Sequence, residues 1–183
     1  MTDTPTPYLD GGNFCVLNPL SLSSGSSLSN GNLTTSISTS NSASSTFGLV
    51  SGKWYYEATI VTSPYNTIGI SSISPKTSAD VYGGSYSYGY YGNNGNKYVN
   101  GAGNTYGSAF WSGDVIGVAF DLDASTIEFY KNNTSQGVLS ITSGQTYFAA
   151  IGGYVASTSS SVNFGQRPFA YTPPSGFKSL HTG

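Results

Sequence analysis

One histidine, one cysteine and eight acidic residues are all that this chain offers for conventional side-chain catalysis. His181 sits in a C-terminal tail, where sequence position alone predicts fraying. A Ser-His-Asp or Cys-His relay would need that tail folded back over the body. Cys15 has no partner, so no intrachain disulfide and no cysteine-based metal site can form, and it reads as a small buried hydrophobe. Glycoside hydrolysis needs two positioned carboxylates. Outside the first residues the acids are Glu57, Asp80, Asp114, Asp121, Asp123 and Glu128. Asp121 and Asp123 stand at alternate positions, which puts both on one side of a strand and raises a calcium site. Two carboxylates are too few ligands for that ion, and turn amides are the better partners. The glycines Gly83-Gly84 and those from Gly92 to Gly103 lack the Lys-Ser/Thr and following helix of a phosphate loop. The inventory therefore predicts no catalytic residue, no metal and no cofactor.

Contact chemistry is richer. Between Tyr82 and Tyr106 the chain interleaves tyrosine with asparagine and glycine. Tyrosine gives large contact area at low entropic cost, and asparagine and glycine adapt the hydrogen bonding. Such surfaces stack on sugar rings or grip protein edges. Tyr82, Tyr86, Tyr91, Asn93, Asn94 and Trp111 are the candidate exposed contact residues.

These residues need elements to hold them, and the elements read as strands. Val/Ile/Thr/Tyr/Phe runs recur every ~8–15 residues between Gly/Asn/Ser turns, which predicts an all-β antiparallel sandwich of two sheets with little or no helix. Strands are expected near 14–18, 32–38, 46–50, 53–62, 67–73, 86–91, 96–99, 115–122, 126–131, 136–140, 147–152 and 161–165. The Ser/Thr stretch from Thr34 to Thr46 reads as one strand and a solvated loop. Residues 1–13, with Pro5 and Pro7, form an extended lead-in, and 14–183 form one domain whose tail starts at about 171. In the run from Val115 to Leu122, Ile116, Val118, Phe120 and Leu122 share one face. Asp123-Ala124-Ser125 supplies a turn, and Ile127 and Phe129 return on the same side.

Composition limits the partners. Charged residues are 8% of the chain and the formal net charge is −2, with no Lys/Arg run, so nucleic acid is not expected. Disordered chains are poor in aromatics, whereas this one has 15 Tyr, 9 Phe and 2 Trp and so packs a core. Few charges and many hydroxyls suit exposure outside cells or on a virus particle. No segment approaches the ~20 apolar residues of a spanning helix, so membrane insertion is not expected. The start Met1-Thr2-Asp3-Thr4-Pro5 lacks the basic and apolar regions of a signal peptide, which implies synthesis in a cytoplasm.

Several blocks resemble one family. Gly113-Asp114-Val115-Ile116-Gly117 enters the hairpin and Ile127-Glu128-Phe129-Tyr130-Lys131-Asn132-Asn133 leaves it. Gly52-Lys53-Trp54-Tyr55-Tyr56-Glu57, Ile68-Gly69-Ile70, Tyr88-Gly89-Tyr90-Tyr91-Gly92, Tyr147 to Gly152 and Val162-Asn163-Phe164-Gly165-Gln166-Arg167-Pro168-Phe169 follow in the same order as in the SPRY domain family. The resemblance covers roughly residues 47 to 170. Asn133 stands where the family has glycine, and asparagine best tolerates the positive φ required. The resemblance implies a β-sandwich, structural roles for Glu57, Asp114 and Asp121, and core positions for Tyr88, Tyr90 and Tyr106. The flanks Asn18-Pro19-Leu20, Leu28 to Leu33 and Tyr171 to Leu180 resemble SPRY modules of bacteriophage tail-fibre and virion proteins. The expectation is a non-enzymatic virion protein that attaches to a host surface protein or glycan. A capsid or tail decoration bound to other virion proteins is the alternative, and an intracellular peptide-binding adaptor the second alternative. A homo-oligomer is compatible with each.

Overall fold

The computed structural model describes residues 13–182 except 23, 39, 63, 73–83, 155 and 156. Among the described residues, thirteen strands form two antiparallel sheets and the only helical turn is a 3-10 turn at Pro19–Ser21. The strands are β1 (Ser27–Ser29), β2 (Thr34–Ser36), β3 (Asn41–Ser44), β4 (Lys53–Thr62), β5 (Asn66–Ser71), β6 (Ser87–Tyr91) and β7 (Lys97–Val99). They continue as β8 (Ala102–Asn104), β9 (Val115–Asp121), β10 (Thr126–Lys131), β11 (Thr134–Ser140), β12 (Phe148–Gly153) and β13 (Ser159–Asn163). One sheet runs β1-β2-β13-β4-β9-β10-β11 and the other β3-β12-β5-β6-β7-β8.

The core lies between the sheets and follows the period-2 pattern. Tyr56, Ala58 and Ile60 of β4, Ile116, Val118 and Phe120 of β9, and Ile127 and Phe129 of β10 are buried there. Ile68, Ile70, Tyr88, Tyr90, Ala149 and Ile151 face them from the other sheet. Register fixes the contacts: Phe120 lies opposite Trp54 on β4 and Ile127 on β10. Asn132 and Asn133 have φ of 47° and 67°, so the β10–β11 turn takes asparagine in place of glycine without changing hand.

Three expectations need correction. The segments 14–18 and 46–50 are not strands; they contribute the isolated bridges Phe14↔His181, Leu17↔Ser45 and Leu49↔Tyr147. Pro19 lacks the donor that would extend the first. The Ser/Thr stretch holds two strands, β2 and β3, rather than a strand and a solvated loop, and Ser42, Ala43 and Ser44 are buried against β12. Small side chains are what that packing requires beside Gly152 and Gly153.

The tail is also not frayed. β13 leaves β4 at Asn163, so the first residues of β4 lack a partner on that side. Lys178 takes the place: its N–H donates to Lys53 O at 3.0 Å and its carbonyl accepts from Tyr55 N at 2.7 Å. Leu180 N–H donates to Phe164 O, Cys15 N–H donates to Leu180 O, and the Leu180 side chain is fully buried. The Glu57 carboxylate, itself buried, pins the same tail by accepting the amides of Ala170 at 2.7 Å and Tyr171 at 2.9 Å. Of the lead-in 1–13, residues 1–12 lie outside the described residues.

Candidate functional site

Antiparallel strands alternate in direction, so each turn belongs to one end of the sandwich. The β4–β5, β6–β7, β8–β9, β10–β11 and β12–β13 connections lie at one end; the β5–β6, β9–β10 and β11–β12 connections lie at the other. This sorts the candidate contact residues. Asn93 and Asn94, on the β6–β7 turn, and Trp111, on the β8–β9 loop, share the first end and are exposed. Tyr86 immediately precedes β6 and so lies at the opposite end, about 17 Å away along a five-residue strand. Its side chain is exposed. Tyr82 lies outside the described residues.

Tyr91 is a correction. It closes β6 and is 6% exposed, not a loop residue. Tyr88 and Tyr90 face the core, so alternation puts Tyr91 on the outer face of its sheet, where Tyr65, Tyr98 and Tyr154 surround it. Burial first, and then the neighbouring phenols, push its hydroxyl up to about 12.

Trp111 is held on a braced loop. Phe110 before it is fully buried and its N–H donates to Gly92 O at 2.9 Å. Trp111 N–H donates to Asp114 Oδ2 at 2.8 Å, and Asp114 N–H returns to Trp111 O at 3.0 Å. Ser112 Oγ donates to Val61 O at 2.7 Å and Gly113 N–H to Ile60 O at 2.8 Å, which fastens the loop to the end of β4. Trp111 is 52% exposed, and Val61, whose carbonyl accepts Ser112 Oγ, is exposed as well. Burial works against the charged form of Asp114, but the Trp111 amide, the Asn132 amide and Lys131 outweigh it and hold the carboxyl below its usual range. The β6–β7 turn is equally fixed, with Asn94 Oδ1 accepting Asn96 N–H at 3.0 Å and Gly107 N–H donating to Gly95 O at 2.8 Å.

Among the described residues, the charged groups at this end are engaged. Lys131 pairs with Asp114 at 3.4 Å and donates to Ala109 O at 2.7 Å, and Lys97 stands over the Tyr106 ring at 5.7 Å. The surface is therefore aromatic and amide-rich, with Lys131 paired to Asp114 and Lys97 stacked on Tyr106.

Asp121 and Asp123, the pair raised as calcium ligands, accept backbone amides at the β9–β10 turn and at Gly52. Asp121 Oδ1 accepts the amides of Asp123 at 3.1 Å and Ala124 at 2.9 Å, and Asp121 Oδ2 pairs with Lys53 at 3.1 Å. Asp123 Oδ1 accepts Gly52 N–H at 2.9 Å. These turn amides use the oxygens that a cation would need, and no group of three His, Cys, Asp or Glu comes together among the described residues. The tail does bring His181 back to the body, but its ring meets Phe14, at 5.7 Å between centroids.

The sequence pattern did not mark Val61, Tyr65 and Tyr154 as members of this end. Val61 was legible as the last outward position of β4. Tyr154 reaches Tyr91 from the β12–β13 connection, and nothing local in the sequence signals that contact.

Comparison with known proteins matches this arrangement to the SPRY domain family, whose model covers residues 53–167. The chain is 32% identical over 124 residues to Ran-binding protein 10 of Danio rerio, covering 66% of this chain and 20% of that protein. It is 31% identical over 124 residues to Ran-binding protein 9 of Homo sapiens, covering 66% of this chain and 17% of that protein. The chain thus spans about a fifth of the length of such relatives. The SPRY domain of human HERC1 superposes with a TM-score of 0.71 at 20% identity, covering 83% of this chain and 99% of that one. The TRIM65 PSpry domain superposes with a TM-score of 0.66 at 14% identity, covering 82% and 90%. At these identities the solved structures speak to the fold alone.

Proposed function

The chain belongs to the SPRY domain family, and from that premise we propose that it is a non-enzymatic protein-binding module whose contact surface is the loop end bearing Trp111, Val61, Asn93 and Asn94. The observation that carries this reading is the exposed Trp111 on a loop hydrogen-bonded to the β6–β7 turn and to the end of β4. An aromatic anchor that is already ordered loses little entropy on binding, and tryptophan is enriched among binding hot spots. The pairing of Lys131 with Asp114 beside it favours a partner surface without strong charge.

Family membership and the vertebrate Ran-binding relatives support a peptide- or protein-binding adaptor as the role. The attachment and decoration roles on a virus particle rest on different observations: the 8% charge, the hydroxyl-rich composition and flanks resembling those of phage SPRY modules. Location on purified particles, read by virion proteomics, separates those roles from the adaptor. Deleting residues 1–13 separates decoration from attachment, because loss of particle assembly with loop binding intact marks an architectural part.

The module reading is tested with Trp111→Ala. Partners captured on the wild-type chain are identified and their Kd measured against both proteins. Trp111→Ala should weaken binding by about 2 kcal/mol or more, roughly thirtyfold, with the melting temperature unchanged. Equal affinities would remove this end as the working surface.

A further inference from the structure

Four tyrosines from four separate elements meet on the outer face of the six-stranded sheet, beside the loop end but on the other side from Trp111 and β4. Tyr91 is the centre. Tyr98 stands almost perpendicular to it, with centroids 5.8 Å apart and planes at 85°. Tyr154 lies at 6.4 Å and 74°, and Tyr65 at 6.5 Å and 44°. Tyr154 N–H donates to Tyr65 O at 3.1 Å, so the two loops carrying the outer rings are tied together. The Tyr154 ring is 56% exposed, while Tyr65 and Tyr98 are half-buried. The turn from Gly92 to Asn96, which joins Tyr91 to Tyr98, adds the exposed amides of Asn93 and Asn94.

This combination is specific in its chemistry. The described charges at this end are paired or stand over Tyr106, so recognition through an ion pair is disfavoured. What remains is a rigid aromatic surface rimmed by phenol and amide groups, each both a donor and an acceptor. A pyranose ring has the complementary form: an apolar C–H face with a rim of hydroxyls that also donate and accept. We propose that the Tyr65–Tyr91–Tyr98–Tyr154 cluster is a binding site for an uncharged carbohydrate, with a sugar ring stacked on Tyr154 and its hydroxyls met by Asn93 and Asn94. Tyr91 serves as the buried support that fixes the exposed rings. The site shares Asn93 and Asn94 with the Trp111 surface, but its stacking rings are distinct from the indole and Val61.

Saturation-transfer NMR with chitohexaose, cellohexaose and maltoheptaose as probes tests the site. At least one of them should receive saturation on its ring C–H protons from the wild-type chain. Tyr154→Ala should weaken that binding by about tenfold or more. Tyr154→Phe, which keeps the ring, should retain most of it, and Trp111→Ala should leave it unchanged. The proposal fails if none of the three probes receives saturation, or if Tyr154→Ala binds like wild type. It also fails if choline chloride binds the cluster and the sugars do not, since that outcome identifies a cation cage.

Discussion

At the scale of single residues, the same type plays opposite roles according to strand parity. Tyr90 and Tyr91 are neighbours, yet one lies in the core between the sheets and the other on the outer face. Because Tyr91 is 6% exposed and touches three other rings, truncating it removes packing. Tyr91→Ala should cost about 2–5 kcal/mol, measured by urea denaturation, as for other large buried side chains. A loss below about 0.5 kcal/mol would mark it as a surface residue after all. Asp121 illustrates a charge used for structure. Burial opposes its ionisation, but the amides of Ala124 and Asp123 and the Lys53 ammonium outweigh that and lower its pKa. A lowered folded-state value means the contribution is present above the ordinary carboxylate value of about 3.9 and is lost as pH falls through the lower one. Asp121→Asn should therefore reduce Tm by roughly 2–4 °C at pH 7, equivalent to about 1 kcal/mol. The gap should close as the pH falls through that lowered value. A gap that persists there would show that the side chain acts by shape alone.

At the scale of elements, the β9–β10 hairpin is the part where local pattern and tertiary packing agree most closely. Alternation places Val118 opposite Phe129 and Phe120 opposite Ile127, and all four are buried. Phe120 also meets Trp54 across β4, so it joins three strands of one sheet. Phe120→Ala should cost about 3–5 kcal/mol in chemical denaturation, and a cost under about 1 kcal/mol would mean the hairpin is not packed as described. The short strands β1, β3 and β8 were not legible in the same way. Ser, Asn, Ala and Gly have weak strand preference, and these segments pair because a neighbouring strand presents a free edge.

At the scale of the whole molecule, the C-terminal segment closes the sandwich. It fills the edge of β4 vacated by β13, buries Leu180 and satisfies the buried Glu57 carboxylate. Truncation after Gly165 removes all three at once. Differential scanning calorimetry should show a Tm lower by roughly 10 °C or more, or no cooperative transition. An unchanged Tm would mean the tail is an appendage. Loop variants such as Trp111→Ala leave this frame intact, which is why binding and stability can be read separately.

The sequence by itself determined the fold class and the central strands, because a half-buried strand writes its burial into every second residue. It also determined the asparagine turn after β10, since positive φ restricts which residues fit. Its family-like blocks led to the SPRY fold. Which end of the sandwich a loop residue occupies was decided only by the tertiary structure. Tyr86 and Asn93 are seven positions apart in the chain, and a single strand carries them to opposite ends. The meeting of Tyr91 with Tyr154, and of Lys53 with Lys178, was likewise a tertiary outcome. Such contacts come from strand order between sheets, and a local pattern records that a residue is buried without recording what buries it.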